Sequence, residues 1–240
     1  MPDVVYEDNH MLVVEKPPNL LVQGDATGDD CLLNQMKEYI AEKYHKPGAV
    51  YLGLVHRMDR PVGGLLVFAR TGKAAARLSA QLRVHGMQRE YLAVVHGCLT
   101  EPSGELRDFL LKGDMQVQVV PEGTDGAQEA ILHYSLLAQN KEDNTALLHI
   151  QLKTGRKHQI RVQLAHSGHP IVQDMRYGQG KPGEPIALWG VVLTLEHPTL
   201  KTRMRFTSLP KGRAFQPFQT EISAFFDRLD QIHPPQKGTP

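Results

Sequence analysis

The 240-residue chain is 41% apolar and 22% charged, with 27 Lys and Arg against 26 Asp and Glu, an ordinary globular composition rather than a disordered or fibrous one. No apolar run approaches the roughly 18 residues that a bilayer-spanning helix needs, and the acidic, alternating start MPDVVYEDNH resembles neither a signal nor a transit peptide. Only Cys31 and Cys98 occur, with no C-x-x-C pair, which argues against a disulfide framework or thiolate zinc site and suits a reducing cytoplasm.

The opening predicts a hairpin, VVYE and MLVVEK flanking a turn at Asp8 and Asn9, stopped by Pro17-Pro18. A helix fits residues 31–44, with Leu32, Leu33, Met36 and Ile40 on one face and Asp29 or Asp30 as cap. YLGLVHRMD and GLLVFAR read as strands around a Pro-Gly-Gly turn, 73–86 as a helix and 91–99 as a buried strand. Residues 101–127 are acidic and turn-rich, with one short strand expected at MQVQVV. AILHYSLLA and TALLHIQL form a second expected hairpin around NKEDN. Residues 156–168 read as a short helix ended by Gly168, ALWGVVLTLEHP and RMRFTSL as strands, and FQTEISAFFDRLD as a closing helix. Hairpin-linked strands outnumber helices, so the fold class is α+β on a mixed, mostly antiparallel sheet. One domain over 1–230 is expected, with 231–240 a disordered tail and no separate N-terminal domain.

Charge is unevenly distributed. Residues 57–90, 153–181 and 201–213 are basic, whereas 1–50 and 101–145 are acidic. Converging basic segments would make a face for phosphates, and ordinary solvated charge is the plainer alternative. The densest cluster is HRMDRPVGG (56–64), where Asp59 lies between Arg57 and Arg60. Flanking positive charge keeps a carboxylate ionised in a pocket, where it can act as nucleophile or base. A structural Asp–Arg pair pinning a turn would look the same in sequence. REYLAVVHG (89–97) offers Tyr91 as a core residue or a platform for a base. TGRKHQIR (154–161) supplies Arg156, His158, Gln159 and Arg161, too many polar groups for simple solvation of a short helix. Twelve histidines form neither H-x-x-x-H nor H-E-x-x-H, and no phosphate-loop or dinucleotide glycine motif occurs, so no metal or nucleotide cofactor is expected.

These blocks, in this order, resemble the RluA family of RNA pseudouridine synthases. HRMDRPVGGLLVFAR is similar to the family's catalytic motif, REYLAVVHG to its tyrosine strand, and TGRKHQIRVQLAHSGHPIVQDMRYG to its basic C-terminal motif. VVYEDNHMLVVEKPPNLLV is similar to the start of its catalytic domain, and the resemblance runs from about residue 3 to Leu209. It implies a pseudouridine synthase fold with a central catalytic cleft, Asp59 as the catalytic carboxylate, Tyr91 stacking on the target base and Arg161 pairing with the aspartate. Arg57 would help hold a flipped-out nucleotide, and Arg60, Arg156, His158 and Gln159 are the further substrate-binding candidates. The reaction would isomerise uridine in structured RNA, tRNA or rRNA, without a cofactor, in a cytoplasmic monomer with no membrane or DNA partner. Met58, Gln173 and Trp189 depart from the usual leucine, glycine and histidine of the family pattern. Two rivals are a catalytically silent RNA-binding protein on the same fold and a carboxylate-dependent hydrolase of small N-glycosides.

Overall fold

The computed structural model describes residues 2–25, 28–114 and 116–232. In chain order the elements are β1 Asp3–Glu7, β2 Met11–Lys16, α1 Leu32–Lys43, β3 Gly53–Leu54, β4 Gly63–Ala69, α2 Gly72–Arg83 and β5 Gln88–His96. There follow β6 Ser103–Lys112, β7 Val117–Val120, β8 Gln128–Asn140, β9 Thr145–Leu152, α3 Gln159–His166, β10 Leu188–Glu196 and β11 Arg203–Thr207. A 3-10 turn at Arg213–Phe218 leads into α4 Gln219–Ile232. Of the expected tail, 233–240 lies outside the described residues. The chain divides into two compact units, one running through Gln88 and resuming over Gly190–Leu209, the other comprising Arg89–Trp189 and the chain from Pro210 through α4.

In the first unit the expected hairpin forms because Asp8 organises its own turn. Its carboxylate accepts the backbone N–H of His10 at 2.7 Å and of Met11 at 2.8 Å. The strand order is β1-β2-β4-β10, with β11 on β10 and β3 on β4. β2 runs antiparallel to β4 in the register Met11↔Ala69 to Lys16↔Gly64. Both strands are apolar at nearly every position, and β4 is buried throughout. One core gathers Met11, Val13, Leu65, Val67, Leu193 and Phe206 with Leu78 of α2. α2 starts where Thr71 accepts the N–H of Ala74 at 3.1 Å. α1 buries Leu32, Met36 and Ile40, one face at four-residue spacing. Neither aspartate caps it as expected. Cys31 is the N-cap residue without a side-chain bond, and Asp30 instead accepts the N–H of Cys31 and an amide proton of Gln35.

Two further expectations fail here and in the second unit. YLGLVHRMD supplies only the two-residue β3, and residues 55–59 have no regular structure. Residues 101–127 hold not one short strand but the ten-residue β6 as well as β7. β6 was hidden because one of its faces is exposed and charged. Arg107 bridges Glu105 on its own strand and Glu129 on β8.

The second unit has the strand order β5-β9-β8-β6-β7. Its ladders β5–β9, β9–β8, β8–β6 and β6–β7 are all antiparallel. α3 begins three residues later than expected, because His158 adopts the left-handed conformation at φ 54° and breaks the helix there. An α+β fold on a largely antiparallel sheet is what the sequence predicts.

Candidate active site

In the first unit the Asp59 segment is an irregular stretch closed by a tight turn, in which the N–H of Val62 donates to the Asp59 carbonyl at 3.1 Å. The chain must then enter β4 against the backbone of β10. Gly64 permits it, since at φ 121° a Cβ would fall 2.4 Å from the backbone N and O of Gly190. His56 is buried and its Nε2 accepts the N–H of Val67 at 3.2 Å, tying the segment to the middle of β4. Arg57 is exposed. Arg60 is also exposed and reaches back along the same surface, its Nε donating to the Asn19 carbonyl and its Nη2 pairing with Asp29 at 2.9 Å.

Lys16, which sequence reasoning did not single out, lies beneath this segment. It is wholly buried at the end of β2, and its Nζ donates to the carbonyls of Pro17, Leu20 and Arg60 at 2.9, 2.8 and 2.9 Å. Three acceptors match the three protons of an ammonium. Burial pushes this group down to about 7, the negative charge of Asp59 works against that shift, and Arg60 adds to it. Lys16 thus couples a positive charge in a low-dielectric setting to the backbone beside Asp59. Nothing in EKPP separates it from an ordinary solvated lysine. Its only sequence signal is its position in line with the inward-facing residues of β2.

In the second unit Tyr91 lies in β5 opposite Ile150 of β9 and is 7% exposed, so its ring is almost entirely enclosed. The TGRKHQIR block forms a compact loop leading into α3. Gln159 is buried, its Oε1 accepting from the Thr154 hydroxyl at 2.7 Å and the Arg156 N–H at 3.0 Å, while its Nε2 donates to the Ile131 carbonyl. Gln159 therefore works inward, holding the loop. Arg156 is exposed, with Nε on the Glu129 carbonyl. The N–H of Val117 donates to the Tyr177 hydroxyl, which is also hydrogen-bonded with His158 Nδ1 at 2.7 Å.

Arg161 is 5% exposed, and its Nε and Nη2 each donate to Asp174 at 2.8 Å in a bidentate fork. Its guanidinium lies 5.3 Å from the centre of the Tyr177 ring. Asp174 has a fully buried carboxylate, which also accepts the N–H groups of Arg176 and Tyr177 at 2.9 and 3.1 Å. Burial alone would raise its pKa, but the Arg161 hydrogen bond and charge, helped by those two N–H groups, hold it below the usual carboxylate range. Asp174 is the second residue missed in sequence, where an aspartate in IVQDMRYG looks like turn chemistry. The two departures nearby have local explanations. Gln173 takes a left-handed φ of 63°, the conformation in which glycine is easiest, and is held there by the Lys181 N–H on its Oε1 at 3.0 Å. Trp189 is among the largest fully buried side chains, a core residue in place of a polar one.

The structure thus places Arg57, Asp59 and Arg60 in the first unit with Lys16. It places Tyr91, Arg156, His158, Gln159 and Arg161 in the second with Asp174 and Tyr177. Among the described residues no three His, Cys, Asp or Glu gather where they could hold a metal, and no helix is long and apolar enough to cross a membrane.

Residues 10–166, which contain Asp59, Tyr91 and Arg161, match the sequence model of the RNA pseudouridylate synthase family. The chain belongs to that family. Among its relatives is the ribosomal large subunit pseudouridine synthase D of Pseudomonas aeruginosa, 35% identical over 209 residues that cover 86% of this chain and 63% of the relative. The synthase D of Yersinia pestis is 32% identical, with 95% of this chain and 74% of the relative covered. The chain thus spans less than two thirds of the length of the Pseudomonas relative, and 56% of the synthase D of Zymomonas mobilis. Human RNA pseudouridylate synthase domain containing 1 shares the fold, with a TM-score of 0.73 at 21% identity over 99% of this chain and 97% of that one. Human RNA pseudouridylate synthase domain containing 4 gives the same score at 20% identity over 92% of each chain.

Proposed function

We propose that this chain isomerises uridine to pseudouridine in structured RNA, ribosomal or transfer, with Asp59 as the catalytic carboxylate. The observation that carries the reading is the setting of Asp59, a carboxylate between two arginines on a segment braced from below by the buried Lys16 ammonium. Neighbouring positive charge favours the ionised form of a carboxylate, the form that a nucleophile or base needs. The three synthase D relatives carry ribosomal large subunit in their names, which favours rRNA as the first substrate to test.

In the proposed reaction the bond from ribose C1′ to uracil N1 breaks, the ring turns, and C1′ bonds to C5. The C5 proton leaves to solvent and N1 regains a proton, so no redox partner is needed. The target base must first leave its stack. Asp59 either attacks C1′ or removes the C2′ proton to give a glycal-like intermediate, and a deuterium isotope effect at C2′ separates the two routes. Tyr91 stacks on the uracil, and Arg161 acts with Asp59 on the same uridine. Arg57, Arg60, Arg156 and His158 contact the RNA, with Gln159 shaping the loop that presents two of them. Binding should weaken steeply with salt, since the basic segments meet phosphates. The setting is the cytoplasm, where the RNA is.

The test is tritium release from RNA labelled at C5 of uridine, with wild type and Asp59→Asn. The substitution is nearly isosteric and removes the charge, so turnover should fall by at least about a hundredfold, or about 3 kcal/mol of barrier, with RNA binding retained. Release at the wild-type rate by Asp59→Asn would sink the assignment. RNA binding by the wild-type protein without release would favour the silent binding protein, and turnover of free nucleosides the hydrolase.

A further inference from the structure

Arg89 stands at the start of β5, two residues before Tyr91 and outside the Asp59, Tyr91 and Arg161 set. Its Nε is buried without a hydrogen-bond partner, and among the described residues nothing ion-pairs with or accepts from its guanidinium. Native proteins leave few such nitrogens unsatisfied, because each costs free energy. Glu90, next in sequence, points to the other side of the strand, where its Oε2 takes His149 at 2.6 Å and Gln151 at 3.4 Å.

The residue beneath the guanidinium is Gly155. Its φ lies outside the left-handed region, so the backbone there does not require glycine. A Cβ at this position would nonetheless fall 2.8 Å from Arg89 Nη2, 3.1 Å from Nη1 and 3.4 Å from Cζ. The end of the guanidinium thus occupies the space that a side chain at position 155 would need. Glu90 pairs with Gln151 of β9, so Arg89 stands where β9 gives way to the turn 153–158. That turn carries Lys153, Arg156 and Lys157, all exposed. An unpaired fork beside three more cations is a site for an anion with two oxygens to offer.

We propose that Arg89, seated on Gly155, is a clamp for one backbone phosphate of the RNA. The proposal rests on the reading of the chain as acting on RNA, and extends it to a residue pair outside the Asp59, Tyr91 and Arg161 set. The experiment measures anisotropy of a fluorescein-labelled, uridine-containing RNA hairpin across a potassium chloride series. The proteins are wild type, Arg89→Gln, Arg89→Lys, Gly155→Ala and the double variant Arg89→Gln/Gly155→Ala, each with a thermal melt. Arg89→Gln should weaken binding about tenfold and flatten the log–log salt slope by about 0.7–0.9, the loss of one phosphate contact. Arg89→Lys should restore the slope and part of the affinity. Gly155→Ala displaces the guanidinium and should weaken binding in the wild-type background but not further in Arg89→Gln.

An unchanged slope and affinity in Arg89→Gln, or additive effects of the two substitutions, would overturn the clamp. Should Arg89→Gln unfold, Gly155→Ala carries the test, because it keeps both the charge and a compatible backbone. Wild-type affinity in that variant overturns the proposal. Inorganic phosphate is the second arm, and binding as tight as that of the hairpin would make this a free-anion site instead. Tritium release is scored separately. Lack of release by wild type with the slope change intact would fail the reaction alone, and release with no slope change would fail the clamp alone.

Discussion

Replacing Arg161 with Met should unmask the charge of Asp174. The Asp174 carboxylate is fully buried and takes two charge-assisted hydrogen bonds from Arg161, leaving only the N–H groups of Arg176 and Tyr177 once the guanidinium is gone. Breaking a buried pair from one side costs about 3–5 kcal/mol, and the two remaining N–H donors put the expected loss near the lower figure, about 3 kcal/mol. The loss should depend on pH with a defined sign. In wild type Asp174 is held below its unfolded pKa, so its contribution is present above that value and fades as pH falls through the folded one. In Arg161→Met burial dominates and the carboxyl moves above its unfolded pKa of about 3.9. The variant is then penalised more as pH rises, and the deficit should be smaller near about pH 5 than near about pH 8. Adding Asp174→Asn removes the stranded charge and should recover at least about 1 kcal/mol. Urea unfolding of wild type, both single variants and the double variant at the two pH values gives the full cycle. A loss below about 1 kcal/mol for Arg161→Met, or no recovery in the double variant, would refute the picture of a desolvated pair. It follows that a rate defect in Arg161→Met has to be read at a urea-free temperature where the variant is still folded.

Tyr91→Phe should melt within a few degrees of wild type and lose at least about tenfold in single-turnover tritium release, because the enclosed ring is kept and only the hydroxyl is removed. Tyr91→Ala should lose both rate and about 3 kcal/mol of stability, as large-to-small changes in a packed strand do; a wild-type rate for Tyr91→Phe would reduce the residue to a platform. Lys16→Met removes the ammonium from three carbonyls and from the neighbourhood of Asp59, so turnover should fall about tenfold or more and the pH–rate profile should lose any limb near about 7. An identical pH–rate profile in Lys16→Met would show that the buried charge has no bearing on the chemistry.

Much of the architecture was legible because its signals are local. Asp8 writes its own turn, Thr71 its own cap, and the continuous apolar runs of β2 and β4 with breakers between them need no long-range information. β6 was not legible, since it is held by ladders to β8 and β7 and its exposed face carries charges such as Arg107, whose partner Glu129 lies 22 residues away and leaves no periodic trace. The site divides in the same way. Asp59, Tyr91 and Arg161 stand out by residue type and motif, whereas Lys16, Asp174 and Arg89 are ordinary charged residues in the sequence. What distinguishes them is enclosure: three carbonyls around one ammonium, a carboxylate with no exposed surface, a guanidinium pressed on a glycine. Enclosure is a property of packing, and the linear pattern does not carry it.

The first unit is interrupted in sequence, since it is built from the chain through Gln88 and completed only by Gly190–Leu209. During synthesis β4 emerges about 120 residues before the β10 strand that borders it. Until then Leu65 and Val67 lack the cover that Leu193, Leu195 and Phe206 later supply, and a strand with an open, apolar edge waits in the nascent chain. The latch is equally late, because His197 reaches Asp8 across 189 residues at 2.6 Å. A transcript cut short before residue 190 would therefore yield not a partly active fragment but a sticky one, and chaperone dependence should be set by the position of the stop codon.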